Sequence, residues 1–575
     1  MTATILPPLT PALEAQLDAL PLAAQVGMLI AGRIWGALDA EYEATMRACH
    51  LGGVVLFADN IGTPDETRSL TARIQERCAL PGLPALVAID QEGGRVRRLH
   101  DPATAFPSAM AVGATGDPAH AERWGRATAR ELRALGLNFD FAPVLDVNNN
   151  PANPVIGTRS YGEDPAAVAR FGVAALTGLR AGGVAATGKH FPGHGDTGTD
   201  SHLDLPQIAG DLDHLRAVEL PPFRAAIAAG IPAIMSSHIV FPALDPDGLP
   251  GTLSRRILVG LLRDVLGFAG VIVSDAMNMR AIADRWGVVE GSLRFIEAGG
   301  DLVEPLGDER AIHAAIVAAV ASGRLPAAQL AASVRRVAQL RAWLATQGPA
   351  DPAWLGAAEH QRWATAIAHD ALTLLRDDAA LLPLRPDTRL AILEFLQQPA
   401  YLAPSDRPAL SPLAAALQGR FPHATSATLA GVAPTKDDLA AARAATAGAD
   451  VILLGTRAAN RLPAQAATIA AIRDWGLPIV AVALADPYDT RAYPTLPTAL
   501  ATYGADPAML DALGAALVGE LTPRGRLPVT VEGEGTGITA ATQRRSATRD
   551  LRDGAGGTET QRPEELRRQE RGGTG

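Results

Sequence analysis

At 575 residues the chain exceeds what one hydrophobic core usually organises, so two folded domains are expected. Hydrophobic residues make up 48% and charged residues 19%, which excludes a disordered scaffold and fits a globular enzyme with many turns. With 51 basic against 61 acidic side chains the net charge is −10, and no long Lys/Arg run precedes the tail; a nucleic acid partner is disfavoured and a small or neutral substrate favoured.

The opening segment, MTATILPPLTPALEAQLDAL, has neither a basic stretch nor an uninterrupted apolar one. No later segment offers about 18 uncharged apolar residues, so a cytoplasmic protein with no membrane partner is expected. Cys49 and Cys78 sit in Ala/Leu-rich surroundings without CxxC spacing and read as small core residues.

From there to residue 345, short apolar runs alternate with longer helical patterns, the sequence form of repeated βα units. Eight candidate strands fall at 28–31, 53–57, 85–90, 139–146, 184–191, 233–240, 271–275 and 301–304, the number that closes a (β/α)8 TIM barrel. Between the fourth and fifth, Asp164 is a candidate cap, Pro165 suits a first helical position and Gly182-Gly183 a helix end. Val168, Phe171, Ala175 and Leu179 then share one face, which should pack on the barrel.

Residues 346–371 read as a Pro/Gly-rich linker, TQGPADPAWLG, and a connecting helix. A smaller α/β sandwich domain follows at 372–532, with strands expected at 390–394, 451–455, 478–485 and 499–503 and a helix at 437–447. Residues 533–575 carry almost no apolar side chains and are expected to be a disordered tail.

Polar residues at the carboxyl ends of barrel strands surround a TIM-barrel active site. Strand three ends in Asp90-Gln91-Glu92-Gly93-Gly94-Arg95-Val96-Arg97-Arg98, and strand five in Lys189-His190 followed by FPGHGDTGTDSH. Strand seven ends in Ser274-Asp275, and the loop after strand four holds Val155-Ile156-Gly157-Thr158-Arg159-Ser160. An Asp directly after the apolar run VIVS places a carboxylate at the barrel mouth, where a glycosyl-forming nucleophile is needed. One serine separates Asp200 from His202, so a loop can bring the carboxylate to one ring nitrogen and leave the other facing substrate, a general acid that later serves as base.

His190, His194, Asp196, Asp200 and His202 also admit a metal-site reading, but Pro192, Gly193 and Gly195 forbid the helical His-x-x-x-His frame, and no metal or cofactor is expected. Residues 183–189 fit a P-loop frame except that His190 stands where Ser or Thr should bind magnesium. They read as a strand, so nucleotide binding is not expected.

The combination DQEGGRVRRL, VIGTRSYGEDP, KHFPGHGDTGTDSHLDLP and VSDAMNM resembles glycoside hydrolase family 3, in its bacterial β-N-acetylglucosaminidase branch. The resemblance runs from about residue 20 to 345, and ALTLLRDDAALLPL with GELTPRGRLPVT resemble the family's second domain. It implies Asp275 as nucleophile, His202 with Asp200 as acid/base dyad, and Asp90, Arg98, Arg159, Lys189 and His190 as contacts to the sugar hydroxyls and N-acetyl group. It further implies a retaining double displacement on β-linked N-acetylglucosamine, with a cell-wall muropeptide of peptidoglycan recycling as the indicated substrate. Two features depart from the commonest form: Ser-Asp-Ala replaces Ser-Asp-Asp, and the second domain is short. A neutral imidazole base does not repel an incoming anion, so an N-acetylglucosaminide phosphorylase releasing a sugar 1-phosphate is the alternative enzyme. A catalytically silent muropeptide-binding protein is the alternative outside enzymes.

Overall fold

Runs such as Gly53-Val-Val-Leu56 and Leu86-Val-Ala-Ile89 are too short for a stable helix and are buried on both faces, the situation of a strand in a parallel sheet covered by helices. In the computed structural model, which describes residues 6–198, 205–385, 387–396 and 411–531, seven such runs form a parallel sheet in chain order. They are β1 (Ala31–Arg33), β2 (Gly53–Leu56), β3 (Leu86–Ile89), β4 (Phe139–Asp140), β5 (Ala185–Phe191), β6 (Ala233–Ser236) and β7 (Val271–Val273). The segment 301–304, expected as an eighth strand, makes single-residue bridges instead: Leu302 with Val273 and Val303 with Ile30. Val303 donates its N–H to Leu29 at 2.8 Å and accepts from Ala31 at 2.9 Å, so the sheet curls back toward its first strand.

Three strands differ from expectation for identifiable reasons. The first begins at Ala31 rather than residue 28, because the helix Leu22–Gly27 runs on to Met28 as its cap. The fourth stops at Asp140, since Pro143 has no N–H to give a ladder, and pairing resumes only as a Val144 to Lys189 bridge. The sixth ends at Ser236, although Val240 still bridges Gln207 and Pro250.

The helix Pro165–Ala181 forms where its end signals stand: the Asp164 carboxylate accepts from the Ala166 N–H, Pro165 opens the helix and Gly182 caps it. Val168, Phe171, Ala175 and Leu179 are all buried, and each of the larger three contributes about 1.5–3 kcal/mol by leaving water. This helix packs closely on Pro118–Ala134. A Cβ on Gly178 would lie 2.1 Å from the Glu122 carbonyl, so the approach needs glycine.

The helix Ala358–Ala371 leads from the first sheet's part of the chain to the second sheet and is docked by a 2.8 Å contact between His360 Nδ1 and Glu131 Oε1. Six strands follow: β8 (Thr373–Asp377), β9 (Leu390–Phe395), β10 (Thr425–Leu429), β11 (Val451–Thr456), β12 (Ile479–Ala483) and β13 (Thr498–Ala501). Their order is β10-β9-β11-β12-β13-β8, with only β8 antiparallel. The four central strands match the expected runs, whereas the edge strands β8 and β10 do not stand out in the sequence. Met110, Ala111 and Ala114, from the first sheet's part of the chain, join the apolar core of this second sheet. Among the described residues no helix is long and apolar enough to cross a membrane. Residues 533–575 lie outside the described residues.

Candidate active site

Lys189, near the carboxyl end of β5, is only 2% exposed and would be costly to bury alone. Its Nζ lies 2.6 Å from Asp90 Oδ1, just past β3, and 2.7 Å from Glu92 Oε1. Glu92 in turn takes a bidentate pair from Arg159, Nε to Oε2 at 2.8 Å and Nη2 to Oε1 at 2.7 Å. Arg159 Nη2 is 3.4 Å from His190 Nε2, and His190 Nδ1 is 2.7 Å from Asp146 Oδ2. Arg98 flanks Asp90 at 4.0 Å, its backbone N–H held by the Gln91 side chain at 2.9 Å. The Lys189–His190 peptide is cis, and both side chains join the cluster.

Mutual pairing sets the charges in this network. Burial pushes the Glu92 carboxyl up, but the Arg159 and Lys189 cations outweigh it and hold the group below the usual carboxylate range. Burial likewise works against the Lys189 ammonium, yet Asp90 and Glu92 push it up to about 12. Burial opposes ionisation of Asp146, and the His190 ring beside it prevails, keeping the carboxyl low. His194 goes the other way, pushed down to about 4 by burial and by His190, and its Nδ1 contacts Thr197 Oγ1 at 3.0 Å. Fixed donors and acceptors in a site largely closed to water suit a neutral polyhydroxylated ligand, because each hydrogen bond there is stronger than in water.

Asp275 follows β7 by two residues, is half-buried, and its Oδ1 accepts from the Ala276 N–H at 2.8 Å. Next to it, the Ser274 hydroxyl accepts from the Glu304 N–H at 2.9 Å. Glu304 is buried; burial pushes its carboxyl well up, and the charges of Asp90 and Asp275 push it further. Glu304 thus lies close enough to feel the charges of Asp90 and Lys189 in the cluster as well as that of Asp275.

Asp90, Arg98, Arg159, Lys189 and His190, distant in sequence, are gathered into one cluster, and Asp275 adjoins it through Glu304. Asp200 and His202 lie outside the described residues. Sequence reasoning did not single out Glu92, Asp146 or Glu304 as site residues. The signal was available, since Asp146 and Glu304 end expected strands and Glu92 stands two residues after Asp90. Among the described residues no three His, Cys, Asp or Glu side chains converge in a way that would hold a metal ion.

A family model, the glycosyl hydrolase family 3 N-terminal domain, matches residues 21–340. β-Hexosaminidase A of Pseudoalteromonas piscicida is 36% identical over 387 residues, covering 62% of this chain and 64% of that protein. The β-hexosaminidase of Stenotrophomonas maltophilia (strain K279a) is 39% identical over 296 residues, covering 50% of this chain and 86% of its own length. The solved glycoside hydrolase family 3 β-N-acetylglucosaminidase from Paenibacillus sp. str. FPU-7 superposes with a TM-score of 0.83 at 34% identity, over 90% of this chain and 100% of that one. With the family model spanning more than half the chain, and that structure matched over its whole length, the protein is an enzyme of glycosyl hydrolase family 3.

Proposed function

We propose that the protein is a retaining, exo-acting β-N-acetylglucosaminidase whose sugar-binding pocket is the Asp90–Lys189–Glu92–Arg159–His190 cluster. The observation that carries this reading is the cluster itself, a largely buried set of mutually paired cations and carboxylates near Asp275, which follows the end of β7. Similarity to named β-hexosaminidases and to a β-N-acetylglucosaminidase supports the choice of sugar.

In this reading Asp275 attacks the anomeric carbon while His202, held by Asp200, protonates the leaving oxygen; water activated by His202 then releases the sugar with retention. Asp90, Arg98, Arg159, Lys189 and His190 hold the hydroxyls and the N-acetyl group. Glu304, whose carboxyl is pushed up first by burial and then by the charges of Asp90 and Asp275, neighbours the nucleophile in this reading. The catalytic unit is residues 1–345, which we read as a closed eight-segment barrel, joined through 346–371 to a sandwich domain at 372–532. The natural aglycone we assign is a cell-wall muropeptide, processed in cytoplasmic peptidoglycan recycling. Phosphorolysis is the second reading, favoured by the imidazole that replaces a carboxylate as base.

Turnover of an aryl β-N-acetylglucosaminide beside the matching β-glucoside, each with and without phosphate, tests the proposal. Free N-acetylglucosamine regardless of phosphate supports hydrolysis. Sugar 1-phosphate would replace it with phosphorolysis, and preference for the glucoside or no turnover would refute it.

A further inference from the structure

The second domain grips the loop after β4 at three places. At its start, Asn148 is fully buried and donates its side-chain N–H to the Tyr488 hydroxyl at 3.0 Å. Further along, the Asn460 side chain donates to the Pro151 carbonyl at 3.4 Å. At its far end the Glu163 carboxylate accepts from the Thr530 N–H at 2.7 Å and also from the Thr530 hydroxyl, while the Glu163 N–H donates to the Pro528 carbonyl at 3.1 Å.

Between these grips lies the turn Gly157–Arg159, from which the Arg159 side chain reaches Glu92 and His190. Asn148 connects the two. While its amide N–H meets Tyr488, its side-chain oxygen accepts from the Gly157 N–H at 3.1 Å, so the tyrosine fixes the residue that fixes the turn. The close approach is visible at Gly157 itself. Its φ is +46°, and a Cβ there would lie 2.4 Å from Asp486 Oδ1 of the second domain, so only glycine lets the two surfaces meet. On the barrel side Arg95 donates to the Val155 and Ile156 carbonyls, which leaves the turn held by the barrel below and by the second domain above.

We infer that Tyr488 is a positioning residue for Arg159, so that the second domain sets how the pocket binds its sugar. The inference rests on the reading that Arg159 contacts substrate. An amide N–H already satisfied by Tyr488 cannot wander toward other acceptors, and the turn therefore has one low-energy placement. Removing the hydroxyl leaves that N–H buried without a partner, and the turn must shift to satisfy it.

The test is a cycle of Tyr488→Phe, Arg159→Ala and the double variant, assayed on an aryl β-N-acetylglucosaminide with thermal melting as a folding control. Tyr488→Phe is expected to melt within a few degrees of the parent yet raise KM about three- to tenfold, with kcat nearly unchanged. In the Arg159→Ala background that effect should vanish. Thr530→Val, which loosens the grip at Glu163, should move KM in the same direction. An unchanged KM in Tyr488→Phe, or the same fold-increase whether or not Arg159 is present, overturns the inference while an impaired Arg159→Ala leaves the pocket assignment standing. An Arg159→Ala variant as active as the parent overturns both.

Discussion

The two sides of the candidate site are built differently. On the side formed by β3, β5 and the loop after β4, ionisable groups are paired with one another: Lys189 lies between two carboxylates, Glu92 between two cations, and Asp146 against the His190 ring. On the side after β7, Asp275 is half-buried near Glu304, whose carboxyl burial pushes well above its ordinary range. In the proposed reading the paired network holds its shape to bind the sugar, while Asp275 supplies the attacking carboxylate, so that binding and chemistry are separated in space.

Several changes would break or sharpen that contrast. The largest effect is expected from Asp275→Ala, which should cut kcat by about 10,000-fold or more if Asp275 is the nucleophile. Lys189→Met should act on stability first. It leaves Asp90 and Glu92 facing each other without their shared cation, and denaturant melts should show about 3–5 kcal/mol of lost stability.

His202→Ala belongs with the chemical side: kcat for a poor alkyl leaving group should fall about 100-fold or more, while an activated aryl group should suffer far less. Equal loss on both would remove His202 from the role of acid.

The smallest effect concerns pH, and the two sides should differ in sign. Glu92, held below its ordinary value near 4.3, contributes stability above that pH which is lost as pH falls through its folded value. Glu304, held above its ordinary value, keeps its proton when the unfolded chain has released it, so stability is lost as pH rises from about 4.3 toward its folded value. Melting curves of Glu304→Gln against the parent should therefore show a gain that grows with pH above about 4.3, and no difference below it. A variant destabilised evenly at all pH values would mean that Glu304 is ionised in the fold.

How far the sequence discloses this arrangement varies with the kind of signal. Helix Pro165–Ala181 was legible end to end, because a capping Asp, an initial Pro and apolar spacing all agree. The shortened β4 follows from a proline inside an otherwise convincing apolar run, and the late start of β1 from a helix that consumes its first residues. Edge strand β10 was illegible for another reason: Thr425-Ser-Ala-Thr-Leu429 is mostly exposed and lacks the apolar run that marks a central strand. Around the site, strand-end motifs point to residues that the fold does gather. What they do not disclose is pairing across distance. Glu92 and Arg159 are 67 residues apart, and Asn148 and Tyr488 are 340 apart, so no local pattern links them. Glu304 was legible as a strand end, but the upward push on its carboxyl comes from burial and from Asp90 and Asp275, which only the folded chain supplies.

The most direct test of the account is to expose the enzyme to a slow-turnover 5-fluoro-N-acetylglucosaminyl fluoride, then map the labelled peptide by mass spectrometry. The account predicts a single glycosyl adduct on the peptide containing Asp275, absent from Asp275→Ala. An adduct on another carboxylate, or undiminished turnover by Asp275→Ala, would contradict it.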